Sequence, residues 1–294
     1  MPISNARGFH AVPLGLARMR LGVISDIHGN DVALRAVLDD AARYRVDRWW
    51  VLGDLVLSGP RPAEVLRLLR ALPGVEMLRG NTDRYVLTGE QPDPHATAAD
   101  AAGRVDLVER YGLMAAGIGW TRGVLSQAGL LEVLTTLPGQ LRLGLPDGAR
   151  VLGVHASPDA DSGPGIEPGT PDDQLGRVLA GCAADVVIGG HTHRATDRLV
   201  NGVRALNPGS TGIPQRPGEA SWLLLECADG PEHGEDRDDS ARGAARGLRV
   251  EHRTVPFDVE AVVRDLHARL HPNTEFLTAV LTGSRPQRRE ADNS

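Results

Sequence analysis

Val23-Ile24-Ser25-Asp26-Ile27-His28-Gly29-Asn30 is the stretch on which the reading of this chain turns. The apolar run from Arg20 to Ser25 reads as a strand, and it ends in a carboxylate and an imidazole two positions apart. Alternate side chains of a strand share a face, so Asp26 and His28 can both point past its end. Asn30 stands where a helix cap belongs, just ahead of Leu34, Val37, Leu38 and Ala41, which recur at i, i+3, i+4 and i+7. Strand, polar turn and helix open a βαβ unit. An Asp-x-His pair by itself says little about chemistry.

The unit then repeats. A strand from Arg48 to Leu52 runs into Gly53-Asp54, and Val65, Leu68, Leu69 and Leu72 give a helix that Pro73-Gly74 stops. A third strand, Val75 to Arg79, enters Gly80-Asn81-Thr82-Asp83. Strands alternating with helices predict a parallel sheet and the α/β class. From about Arg84 to Leu137 the composition turns rich in Ala, Leu and Gly, which predicts a helical cap over the strand ends.

Further on, Gln140 to Leu145 and Arg150 to His155 predict a hairpin about Pro146-Asp147-Gly148. Ala156 to Pro171 is a Gly/Pro/Asp loop, Asp172 to Gly181 a short helix, and Val186 to Ile188 a buried strand entering Gly189-Gly190-His191-Thr192-His193. Another hairpin turns at Asn201-Gly202 and leads to the loop Asn207-Pro208-Gly209-Ser210-Thr211. Ser221 to Cys227 pairs with Leu248 to Val255, and a last helix runs from Asp258 to Leu270. One domain is therefore expected over residues 19–270, after an irregular extension at 1–18. The polar, Gly-rich segment 228–247 reads as a disordered insertion and 271–294 as a largely disordered tail.

Composition excludes several functions. A net charge of -6 and an aromatic content of 3% argue against a polymeric nucleic-acid partner. None of the 32 Lys and Arg residues is a Lys, which rules out Schiff-base or phosphate-loop lysine chemistry. Anions must then be met by Arg, His, backbone N–H groups or metal. Cys182 and Cys227 are too few for a disulfide framework or a thiolate zinc site. No run approaches the roughly 18 apolar residues of a spanning helix. The stretch Ala11 to Ala17, broken by Pro13 and Gly15, makes a poor signal peptide. A cytoplasmic protein without a membrane partner is expected.

The polar clusters share one feature: each follows a strand, which delivers it to the sheet edge where α/β proteins place their sites. Asp26, His28, Asp54, Asn81, His155, His191 and His193 stand there. These oxygen and imidazole donors suit first-row divalent metals. They are too many for one tetrahedral ion and fit two ions, with Asp54 as the natural bridge. Two such ions about 3.5–4 Å apart can lower the pKa of a shared water and clamp phosphoryl oxygens. Two carboxylates leave positive charge over for a hydroxide and an anionic substrate. His10, His95, His233, His252, His267 and His271 lack this context and are expected at the surface.

These motifs resemble those of the calcineurin-like metallophosphoesterases. Asp26-x-His28, Gly53-Asp54, Gly80-Asn81 with an acid at 83, His155 after a strand, and Gly190-His191-x-His193 carry the resemblance, over about residues 20 to 227. The opening Ser-Asp-Ile-His-Gly-Asn and the Asn-Pro-Gly-Ser loop at 207–210 look like the small bacterial phosphodiesterase branch, which includes relatives of diadenosine polyphosphate hydrolases. The resemblance implies a four-layer α/β/β/α sandwich with a dimetal centre between two sheets. Asp26, His28 and His193 would hold one ion, Asn81, His155 and His191 the other, and Asp54 would bridge. Manganese, iron, zinc, nickel and cobalt all accept this set. Attack on phosphorus would come from the hydroxide bridging the two ions. Relatives usually begin just before the first strand, which would put the start at Met19.

One position departs from the pattern. Many family members carry His after the Asn, and this chain has Thr82. A threonine hydroxyl can donate a hydrogen bond but is no general acid near neutral pH, and such help is worth about 10²–10⁴-fold. Thr82 as the catalytic group therefore favours weakly basic leaving groups: activated phosphodiesters or nucleotide-type phosphoanhydrides. Asn81 and Arg84 are expected to contact substrate, with Arg194 and Ser210 as further candidates. The alternatives are a non-catalytic scaffold of this fold and a protein or small-molecule phosphomonoesterase.

Overall fold

The first strand of the core, β2 (Arg18–Ile24), faces two ways, and its alternation lays out the whole fold. Leu21 and Val23 point into one hydrophobic core, while Ile24 points into another on the opposite side. The same division runs through β3 (Arg48–Leu52), where Trp50 and Leu52 share the core of Leu21, and Trp49 and Val51 that of Ile24. A sheet buried on both faces must be covered on both faces. The computed structural model describes residues 10–11, 18–91, 105–145, 148–228 and 248–284.

Two sheets supply the inner layers. In the five-stranded sheet β2 and β3 run parallel with β4 (Val75–Leu78), and beyond β2 come β10 (Glu219–Ala228), antiparallel to it, and β11 (Leu248–Pro256), antiparallel to β10. The six-stranded sheet joins β1 (His10–Ala11), β5 (Leu141–Gly144), β6 (Arg150–Gly153), β7 (Val186–Ile188), β9 (Val203–Asn207) and β8 (Thr196–Val200) in that order. Leu143, Val151, Val186 and Ile188 from this sheet meet Leu21, Val23, Trp50 and Leu223 from the other. Each such side chain contributes about 1.5–3 kcal/mol by leaving water.

Helices cover the outer faces. α1 (Asp31–Ala41) and α2 (Pro62–Arg70) pack Leu34, Val37, Leu66 and Leu69 against Trp49, Val51 and Trp222. Asn30 caps α1 as its position suggests, its side-chain oxygen accepting from the N–H of Ala33 at 3.0 Å. α6 (Asp172–Val178) sets Leu175 against Leu152, Val187 and Ala205 on the far side of the six-stranded sheet. The order helix, sheet, sheet, helix is the expected four-layer sandwich.

The described part of the segment expected to form the cap is mostly helical, in α3 (Asn81–Thr88), α4 (Val105–Gln127) and α5 (Leu131–Thr135), with 92–104 outside the described residues. Ile118, Leu125, Leu130 and Leu134 join the core of α1 and α2, so this segment mostly thickens that outer layer. α3 alone among these helices starts at the strand ends. The expected hairpin of β5 and β6 forms, with the residues at 146 and 147 outside the described ones.

The C-terminal part corrects the sequence reading. After α7 (Val259–Ala268), residues expected in a disordered tail form α8 (Thr274–Thr282). Leu277 and Leu281 of α8 pack on Val262 and Leu266 of α7. Pro272 and the shortness of the apolar pattern hide this helix. His271, expected at the surface, is buried with its ring edge-on to Trp120 of α4, centroids 4.6 Å apart. The segments 1–9, 12–17, 229–247 and 285–294, with the expectations that fall on them, lie outside the described residues. No described helix is long and apolar enough to cross a membrane.

Candidate metal centre

β2, β3, β4, β6 and β7 end at a common edge, and a site residue follows each of them. The turns there are laced together by backbone hydrogen bonds. Asp26 N donates to Gly53 O at 3.1 Å, His28 N to Asp54 O at 2.9 Å, and Gly190 N to His155 O at 2.8 Å. Asp26, His28, Asp54, His191 and His193 all take positive φ, between 51° and 68°. Asp and His tolerate this left-handed region better than most residues, yet each such position costs on the order of 1–3 kcal/mol. Packing holds them in place. A β-carbon on Gly190 would lie 2.7 Å from Asp26 Oδ2, so only glycine lets the His191 turn approach so closely.

All seven expected residues converge. Ligand atoms of Asp26, His28 and His193 lie within 4.8 Å of one another, and so do those of Asp26, Asp54 and His155. Asn81, first residue of α3, brings Oδ1 to 2.9 Å from His155 Nε2 and 3.0 Å from His191 Nδ1. His155 Nε2 is also 3.3 Å from Asp54 Oδ1, and His193 Nε2 is 3.3 Å from Asp26 Oδ1.

The four imidazoles are oriented alike. Each sets one ring nitrogen on a backbone carbonyl: His28 on Leu57 at 3.0 Å, His155 on Leu52 at 2.7 Å, His191 on Gly163 at 3.0 Å and His193 on Ile213 at 2.9 Å. A carbonyl only accepts, so that nitrogen carries the hydrogen, and in the neutral ring the other presents a lone pair to the centre. The inward nitrogens of His28 and His193 face each other at 3.2 Å. Lone pairs this crowded repel unless a proton or a cation stands among them. Backbone-fixed imidazoles of this kind are the usual support of metal ligands. The donor set therefore fits divalent metal.

Electrostatics divide the histidines. Burial alone would raise Asp26, but the charge and hydrogen bond of His193 hold it below the usual carboxylate range. Burial would likewise raise Asp54, and His155 drives it far lower. Burial opposes charge on His155, yet Asp54 pulls it up to about 10, and Asp26 raises His193 in the same way. His28 and His191, pressed by burial, are pushed down and stay neutral. The two raised imidazoles, His155 and His193, are thus the ones that face Asp54 and Asp26.

A model of the calcineurin-like phosphoesterase superfamily domain matches residues 19–230. The chain belongs to that superfamily. An uncharacterized protein of Methanocaldococcus jannaschii is 32% identical over 143 residues, 49% of this chain and 51% of that one. The symmetrical bis(5'-nucleosyl)-tetraphosphatase of Erwinia tasmaniensis is 42% identical over 67 residues, 22% of this chain and 24% of the enzyme. The matches thus span about half and about a quarter of these two relatives. The crystal structure of a metallophosphoesterase from Sphaerobacter thermophilus matches with a TM-score of 0.62 at 26% identity, covering 90% of this chain and 98% of that one. Fold and family thus agree, and the donor cluster stands at the strand ends of that fold.

Around the centre the superfamily member's other residues divide. Thr82 donates its backbone N–H to Asp54 Oδ1 at 2.9 Å, and its buried Oγ1 has no partner among the described residues. Ser210 serves the backbone, donating to Asp26 O and accepting from Ile213 N, both at 2.9 Å. Arg84, expected to contact substrate, instead turns its guanidinium to Asp161 and Glu90. Arg194 lies half exposed near Glu167. Sequence reading gave Asp83 no task, yet its two oxygens accept the N–H groups of Leu55 and Gly80. The spacing Gly80 to Asp83 is that of a capping box, which was the available signal. A groove of about 600 Å³ lined by Arg35, Arg61, Phe257 and Arg264 contains none of these site residues, and its Arg61 is paired with Asp265.

Proposed function

We propose that this protein is a two-metal phosphoesterase acting on phosphodiesters or nucleotide-type phosphoanhydrides. The single observation that carries it is the orientation of four imidazoles, each fixed by a backbone carbonyl, three facing the buried carboxylates of Asp26 and Asp54 and His191 facing Asn81. Asp26, His28 and His193 would hold one divalent ion, Asn81, His155 and His191 the other, with Asp54 shared between them. When bound, such ions acidify water and draw charge from phosphoryl oxygens.

The chain's own residues shape the rest. Asn81 opens α3, and its side-chain amide would contact an anionic substrate there. Thr82, whose backbone N–H donates to Asp54, carries a hydroxyl but no group that protonates a leaving alkoxide at neutral pH. Substrates whose leaving group departs as a stable anion fit this site. The similarity to a tetraphosphatase that acts on a dinucleoside polyphosphate supports a nucleotide-like phosphoanhydride as the natural class.

Metal content and turnover of bis(p-nitrophenyl) phosphate test the reading together. Two ions per chain and hydrolysis with Mn²⁺, Fe²⁺, Ni²⁺ or Zn²⁺ are expected. A panel of dinucleoside polyphosphates, cyclic nucleotides, nucleoside phosphates and phosphopeptides then ranks substrates. No bound metal and no turnover would make the protein a scaffold of this fold.

A further inference from the structure

Arg84 lies three residues after Asn81 on α3, and its fork is fully engaged on an acid from a distant loop. Nε donates to Asp161 Oδ2 at 2.8 Å and Nη2 to Asp161 Oδ1 at 3.0 Å, a bidentate pair. Nη1 bonds Glu90, and the guanidinium lies over the Tyr85 ring, 4.9 Å from its centroid. The Arg84 and Asp161 side chains are only 22% and 19% exposed, so the pair is shielded more than ordinary surface ion pairs.

Asp161 sits at the middle of the Gly/Pro/Asp loop that follows His155. Two residues on, Gly163 O is the carbonyl on which His191 sets Nε2. Ile166 O, next along, accepts from Thr192 Oγ1 at 2.8 Å and Asn207 Nδ2 at 3.0 Å. Gly165 lies so flat on the His191 turn that a β-carbon there would sit 2.7 Å from Thr192 Cγ2. At its start the loop is held by Gln140, whose Nε2 donates to Pro158 O at 2.5 Å. Between these two anchors the Arg84 contact is the link that ties the loop to α3.

We propose that Arg84 and Asp161 form a clasp that holds this loop against the site, so that Gly163 fixes the orientation and tautomer of His191. The pair are positioning residues, and neither touches the reacting atoms. The chain of effects is short. Opening the clasp frees Gly163, His191 loses the acceptor for its Nε2–H, and its Nδ1 no longer has to face Asn81. This inference rests on the proposed dinuclear reading, because His191 is assigned to the ion shared with Asn81 and His155. Losing such a support typically weakens metal affinity about 10–100-fold.

The test uses the full chain with Asp161→Asn, Arg84→Gln and the double variant. In chelated protein, hydrogen exchange of peptides covering 157–166 and the nitrogen-15 signature of the His191 ring are recorded. Mn²⁺ binding is then followed by calorimetry. Each single variant is expected to speed exchange at 157–166 by at least about 10-fold, to lose the Nε2–H signature, and to weaken one Mn²⁺ site about 10–100-fold while sparing the other. The double variant should be no worse than either single one. Unchanged His191 nitrogen signals, or equal weakening of both ions, would overturn the clasp. If the unaltered protein bound fewer than two Mn²⁺, the dinuclear reading would fall, while the exchange and nitrogen-15 measurements would still decide whether the clasp positions His191.

Discussion

Asp83 accepts the backbone N–H of Gly80 at 3.0 Å, and its other oxygen accepts that of Leu55 at 2.9 Å. One carboxyl thereby ties the turn bearing Asp54 to the helix start bearing Asn81. Burial first, and the Asp54 charge second, push Asp83 up to about 7 from the ordinary 3.8. Between those values the folded protein binds more protons than the unfolded chain, so this contribution is complete below about pH 4 and lost as pH rises through 7. In chelated protein, urea midpoints should show this decline, and Asp83→Asn should lack it. Asp83→Ala leaves two N–H groups without acceptors, each costing about 1–3 kcal/mol, and should be the less stable variant. Equal midpoints for Ala, Asn and unaltered protein at all pH values would refute the role.

Metal uptake should expel protons. His155, pulled up to about 10 by Asp54 against burial, carries a proton at pH 7 that blocks a lone pair facing the centre, and Asp26 raises His193 in the same direction. Mn²⁺ titrations at pH 7 in two buffers of different ionisation enthalpy should report at least about one proton released on saturation. His155→Gln should lower this count by about one. Affinity should fall as pH is lowered, since protons compete for the same nitrogens. A binding enthalpy independent of the buffer would contradict this account.

His271 supplies an acid-sensitive contact away from the site. Burial depresses it to about 4 from 6.5, and its Nε2 has no hydrogen-bond partner among the described residues. A depressed histidine favours folding while neutral, so its contribution is complete above about pH 6.5 and is lost as pH falls toward 4. His271→Phe keeps a ring against Trp120 and removes the titration. Denaturation midpoints between pH 6.5 and 4 should fall less steeply in this variant than in the unaltered protein. Parallel slopes would place the acid sensitivity elsewhere.

What the sequence revealed and what it hid follow a physical rule. Asp26, His28, Asp54, His155, His191 and His193 were legible because each closely follows a short apolar strand, and those strands of the two sheets end at a common edge. Contacts between distant segments were not. Arg84 looks like a free cation until Asp161, 77 positions away, is seen on its fork. Asp83 looks like part of a turn until Leu55, 28 positions earlier, is found donating to it. His271 and α8 went unread because Pro272 interrupts the pattern, and their burial depends on Trp120 for the ring and on α7 for the helix.

Thr82 is where substrate choice becomes testable by a gain of function. Its Oγ1 is buried with no partner among the described residues, and its backbone N–H already serves Asp54. Replacing it with histidine supplies a proton donor that titrates near neutrality, without disturbing the backbone bond. General acid help matters most where the leaving oxygen is basic, and it is worth about 10²–10⁴-fold there. Thr82→His should therefore raise turnover of an alkyl phosphodiester by about 10-fold or more, the low side because the new ring is not preorganised. Hydrolysis of bis(p-nitrophenyl) phosphate, whose leaving group departs without a proton, should change little. The ratio of the two rates, measured on metal-loaded protein, isolates leaving-group protonation from binding and metal content. If the ratio stayed fixed, protonation of the leaving oxygen would not be what Thr82 limits, and the preference for activated esters would have to come from the shape of the site.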